Sequence, residues 1–100
     1  MEPMPKEHKS IIDNYPKCHH CGSETDLQRH HMLKGLAYRY KAEEDGLWCY
    51  LCVSCHTYLH GKDGHELDLQ YKQEAQRAWM KHYNKGVKEF RQRYGMNYLG

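Results

Sequence analysis

One phenylalanine in 100 residues, against nine tyrosines, leaves little wholly apolar volume from which to build a large core. Nothing in the chain approaches the run of about 20 apolar residues that crosses a bilayer, so no membrane-spanning helix is expected. The polar start lacks the apolar segment of an export signal, and a cytoplasmic chain with reduced thiols is the expectation. An excess of one charge is missing too. Fifteen Lys+Arg stand against thirteen Asp+Glu for a net charge of +2, so only the local distribution of charge can speak about partners. All three prolines fall within residues 1–16, a polar stretch of no sustained period that is expected to be a flexible arm.

What the chain has in excess is cysteine and histidine, five and nine respectively. Five cysteines cannot all pair, and in a reduced compartment thiolates on a metal are the better use of them. Cys18-His19-His20-Cys21 and Cys52-Val53-Ser54-Cys55 form two CxxC knuckles thirty residues apart. The two-residue gap lets both sulfurs of a knuckle face one ion, and four thiolates close a tetrahedral zinc site without an open position. Cys49-x-x-Cys52 is a competing CxxC. The pairing of Cys52 with Cys55 is preferred, because Cys49 lies inside a predicted strand, where a small hydrophobe facing the core is its ordinary role.

The second cluster is made of imidazoles. His56 and His60, directly after the second knuckle, are four residues apart and share one face of a helix opening near Cys52. His30 and His31 are adjacent in a predicted strand and must point to opposite sides, so one can join the same ion and the other is left for another task. Together the four suggest a second metal or catalytic centre. His8, His65 and His82 are expected to be solvated, and His19 and His20 to decorate their knuckle.

Turn punctuation at Cys21-Gly22-Ser23, Lys34-Gly35 and Asp45-Gly46 separates two strands, 27–33 and 47–51, with a short helix over 36–44 between them. A helical period begins after Asp68, a plausible N-cap, and carries Trp79 and Tyr83 as a core stripe. It breaks at Asn84-Lys85-Gly86, resumes through Val87, Phe90 and Tyr94, and ends at Gly95. The chain thus divides into an arm (1–16), a metal-organised core (17–61) and a helical extension of the same domain (62–100). From Tyr71 to Arg93 there are seven cations against two anions. Lys81, Lys85, Lys88 and Arg91 are the candidates to clamp a nucleic-acid backbone.

The stretch from Cys18 to His60 resembles the HNH endonucleases of the ββα-metal (His-Me finger) fold. The resemblance rests on Gln28-Arg29-His30-His31-Met32, on His56-x-x-x-His60 and on the flanking CxxC pairs. Arg39, Glu43-x-Asp45-Gly46-Leu47 and the closing Tyr94-Gly95-Met96-Asn97-Tyr98-Leu99 are similar to small phage and prophage members. It implies a small α+β protein: a ββα-metal core stapled by a four-cysteine zinc, followed by C-terminal helices. It further implies His31 as general base, with His30, His56 and His60 on a catalytic Mg2+, Mn2+, Ni2+ or Zn2+. Arg39 would touch the scissile phosphate of duplex DNA, in a host cytoplasm and beside phage DNA-processing or packaging partners. The middle Asn of the motif is absent between His31 and His60. Asp45, or a carbonyl near Asp45-Gly46, is expected to orient His31 in its place. A zinc-knuckle or treble-clef module that binds nucleic acid or protein without cutting is the alternative, and it has no need of His31.

Overall fold

The computed structural model describes residues 8–33 and 36–100. In chain order the elements are β1 (Leu27–His31), α1 (Leu36–Asp45), β2 (Trp48–Cys52), α2 (Val53–His60), α3 (His65–Tyr83) and α4 (Val87–Tyr94). The described residues make a small α+β fold of one two-stranded sheet and four helices. The turn read at Lys34-Gly35 lies outside the described residues, as do positions 1–7 of the arm.

β1 and β2 are antiparallel, and His30 opposes Cys49 while His31 opposes Trp48. Opposed residues share a face, so the side chains of Gln28, His30, Cys49 and Leu51 project to one side and those of Arg29, His31, Trp48 and Tyr50 to the other. The first face is closed by α2 and α3. Met32, Leu47, Cys49, Leu51, Leu59, Tyr71, Ala75, Trp79, Phe90 and Tyr94 form one buried cluster. Nearly all of β2 is buried, as a strand covered on both faces must be.

The second face explains the first correction. Residues 8–16, expected to fray, lie against β2 instead. Ile11 and Ile12 pack on the core, the Ile11 amide donates to Gly46 O at 2.9 Å, and the Ser10 hydroxyl donates to Trp48 O. Gly46 makes this approach possible. Its φ of +77° suits glycine, and a Cβ there would sit 2.5 Å from Lys9 O.

A second correction concerns α3, which starts at His65 with Gly64 as N-cap, before the Asp68 cap that the sequence suggests. Glu66 and Asp68 then occupy the first turn, where carboxylates offset the exposed amides of the helix end, and Asp68 pairs with Lys72 at 2.9 Å. At the other end Asn84 takes the left-handed cap conformation (φ 54°, ψ 53°), and Gly95 closes α4 in the same way. Among the described residues, no helix is long and apolar enough to cross a membrane.

Candidate active site

The four knuckle sulfurs converge. Cys18 and Cys21 sit in a loop pinned to β2 by the His19 amide, which donates to Tyr50 O at 2.7 Å. Cys52 ends β2 and Cys55 lies in the first turn of α2. All four sulfurs fall within 4.8 Å of one another, and Cys21 Sγ is 3.7 Å from Cys52 Sγ. Tetrahedral zinc with Zn–S bonds of about 2.3 Å spaces its sulfurs by about 3.8 Å, so the cluster fits that ion. Charge points the same way. Burial opposes ionisation of Cys18, but the amides of Cys21, Cys52 and His20 bring its thiol down to about 6. Burial and then the sulfurs of Cys52, Cys18 and Cys21 push Cys55 up, a crowding that a cation relieves. Cys49 stands apart, fully buried, its thiol driven up by burial.

His19 does more than decorate its knuckle. Its Nδ1 meets Asp13 Oδ1 at 2.8 Å and its Nε2 meets Glu74 Oε1 at 2.9 Å, which ties the arm, the knuckle and α3 together. The Glu74 hydrogen bond chiefly, aided by Asp13 and opposed by burial, raises the imidazole to about 9. Two carboxylates spaced far apart in sequence gave no local signal of this bridge.

On the inner face of the sheet, His30 of β1 meets His56 and His60 of α2. One nitrogen from each lies within 4.8 Å of the others, so the three could hold a metal ion. His30 is 4% exposed, and its buried Nε2 has no hydrogen-bond partner. Burial, then the neighbouring His56 and His60, lowers its pKa to about 3 and keeps it neutral, the form that binds metal. His56 donates from Nδ1 to Gln28 Oε1 at 2.6 Å. That bond places the proton on Nδ1 and leaves the lone pair on Nε2, the usual part of an outer partner in a metal site. Gln28 was legible only as a motif letter, because its task depends on α2 crossing β1.

His31 points to the opposite side of the strand, and its Nε2 lies 2.8 Å from Glu43 Oε1. It shares a cleft of about 380 Å³ with Arg29, His30, Leu33, Arg39, His56 and His60. Arg39 is exposed at this cleft.

Set against known proteins, the chain matches no family model, no curated protein and no solved structure.

The expected orienter of His31 is displaced. Asp45 Oδ2 accepts from Trp79 Nε1 at 2.8 Å, Arg93 Nε at 2.5 Å and Tyr94 OH at 2.6 Å, so Asp45 locks α1 to α3 and α4. Glu43, two residues earlier, is the carboxylate that reaches the imidazole. Burial would raise its pKa, but the His8 amide, His31 and Arg29 together hold it below the ordinary carboxylate value. In the basic stretch, Lys81, Lys85, Lys88 and Arg91 are all exposed. Lys88 and Arg91 line a hollow of about 450 Å³ on α4 that contains neither thiol nor imidazole. Lys72 and Arg93 are instead engaged by Asp68 and by Glu44 and Asp45.

Proposed function

We propose that the protein is a metal-dependent endonuclease of the HNH, ββα-metal type that hydrolyses phosphodiester bonds in DNA. The observation that carries this reading is His30. An imidazole buried with an unpartnered nitrogen costs about 1–3 kcal/mol, and this one faces two further imidazoles in a cleft that also admits His31. A purely structural zinc domain has no use for that arrangement.

On this reading β1, β2 and α2 are the ββα core and the thiolate cluster is its zinc staple. His30, His56 and His60 would hold a divalent cation, which would supply charge neutralisation for phosphodiester hydrolysis. Three protein ligands leave coordination positions open, as a catalytic site requires. His31 accepts the proton of the attacking water. Arg39 contacts the phosphate from the rim. Lys81, Lys85, Lys88 and Arg91 hold the duplex backbone, which positions the substrate without reading its sequence.

Single-turnover cleavage of a DNA duplex with added divalent metal tests the reading. His31→Ala removes the proton acceptor but no metal ligand, so cleavage should fall by roughly 10²–10⁴-fold while DNA and cation stay bound. His56→Ala and His60→Ala should demand more cation for the same rate and retain thiolate-bound zinc. Normal cutting by His31→Ala refutes the assignment. DNA binding without cleavage by the wild type, whatever the metal, leaves the non-cutting binding module in its place.

A further inference from the structure

A carboxylate as buried as Glu43, 4% exposed, is costly unless its oxygens are satisfied. Here three donors converge on it. The His8 amide reaches Oε2 at 2.9 Å, Arg29 Nη2 reaches Oε2 at 2.7 Å and Oε1 at 3.0 Å, and His31 Nε2 reaches Oε1 at 2.8 Å. The supports are themselves braced. Trp48 Nε1 donates to His8 O at 3.0 Å, and the Arg29 guanidinium lies 3.8 Å from the centre of a Trp48 ring. Glu43 is therefore held in one orientation by the arm and by both strands, and of its three donors His31 alone lines the cleft without sharing in that bracing.

An imidazole that serves as a base needs one nitrogen occupied and the other open. We infer that Glu43 is the positioning residue of His31. Its carboxylate accepts the Nε2 proton, fixes that tautomer and turns Nδ1 toward the attacking water. The His8 amide and Arg29 hold the carboxylate in place, which makes the N-terminal arm part of the catalytic apparatus. The role rests on the endonuclease reading of His31. In the step itself a water O–H bond breaks and the proton goes to Nδ1. The oxygen bonds to phosphorus, the P–O3′ bond breaks, and solvent protonates the leaving oxygen. The imidazolium so formed has its charge beside Glu43.

The test uses the full, zinc-loaded chain and two independent readouts. Ring-nitrogen NMR of His31 should show the proton on Nε2 in the wild type and lose that preference in Glu43→Ala. In cleavage, Glu43→Gln and Glu43→Ala should lower kcat by roughly 10²-fold, with KM for DNA and bound metal within about twofold of wild type. Because Glu43 acts through His31, Glu43→Ala should cost nothing further in a His31→Ala background. His8→Pro, which deletes the amide donor, should slow cleavage. Should Glu43→Ala fail to fold, the isosteric Glu43→Gln carries the comparison. Equal losses in both backgrounds, wild-type rates in the Glu43 variants, or a proton on Nδ1 in the wild type would each overturn the inference. Normal cleavage by His31→Ala removes the catalytic role but not the tautomer, so the two failures are told apart.

Discussion

Asp45→Ala should come close to unfolding the protein, and the size of the effect follows from who loses a partner. Trp79 and Tyr94 are 5% and 1% exposed, so their Nε1 and hydroxyl donors have no water to turn to when the carboxylate goes. A buried donor left unsatisfied costs about 1–3 kcal/mol. Arg93 is 31% exposed at its side chain and keeps Glu44, so its loss adds at most about 1 kcal/mol. The total, about 2–7 kcal/mol, is a large share of the roughly 5–15 kcal/mol that holds a native protein together. Asp45→Asn keeps one acceptor of the same shape and should cost about 1–2 kcal/mol. Urea denaturation of the zinc-loaded protein, followed by tryptophan fluorescence, gives both values as shifts of midpoint at constant slope. Folded Asp45→Asn should also cleave DNA at close to the wild-type rate. If Asp45→Ala and wild type share a midpoint, the three-donor lock is not what joins α1 to α3 and α4. If stability holds while cleavage collapses, Asp45 returns to the catalytic place its motif position suggested.

Cys18→Ser should release zinc and lower the melting temperature by more than about 10 °C, because metal binding free energy in so small a domain is folding free energy; metal analysis beside a thermal melt checks both, and unchanged zinc content refutes it. Neutralising Lys81, Lys85 and Lys88 together should flatten the salt dependence of DNA binding, by a slope of about 0.9 for each phosphate no longer neutralised; an unaltered slope makes this helix surface merely solvated. For His19, raised to about 9 from an unfolded value of 6.5, the stabilisation is complete below about pH 6.5 and is lost as pH rises through 9. The shift sets a ceiling of about 3 kcal/mol, and the exposure of Glu74 trims it to about 1–2 kcal/mol. The difference in denaturation midpoint between wild type and His19→Gln should therefore shrink from pH 6.5 to pH 9.5.

Spacing and periodicity carry the elements well where local chemistry decides. The strands expected at 27–33 and 47–51 are Leu27–His31 and Trp48–Cys52, and the helix expected at 36–44 is Leu36–Asp45. The break at Asn84-Lys85-Gly86 and the stop at Gly95 follow from residues that tolerate a left-handed cap. The cysteine cluster is legible because a CxxC knuckle is nearly complete in itself. What sequence withholds is every contact made by an element arriving from afar. The arm's grip on β2 needs Gly46 to admit it. Glu43 and Asp45 are both acidic residues near the end of one helix, and nothing local tells which faces His31 and which faces Trp79. Gln28 gains its task only when α2 crosses the strand. The true start of α3 is hidden because Gly64 is a weak cap beside an inviting aspartate.

Cys52 is at once the last residue of β2 and the N-cap of α2. No linker separates the strand that fixes two of the sulfurs' surroundings from the helix that carries His56 and His60. The two clusters are therefore mechanically in series, and an ion gripped by the thiolates would fix the origin of the helix from which the second grip is made. Were both clusters to hold metal, occupancy of one would raise affinity at the other, by the same factor in both directions. A chelator that reaches only the thiolates would dismantle the imidazole cluster as well, without touching any residue in the cleft.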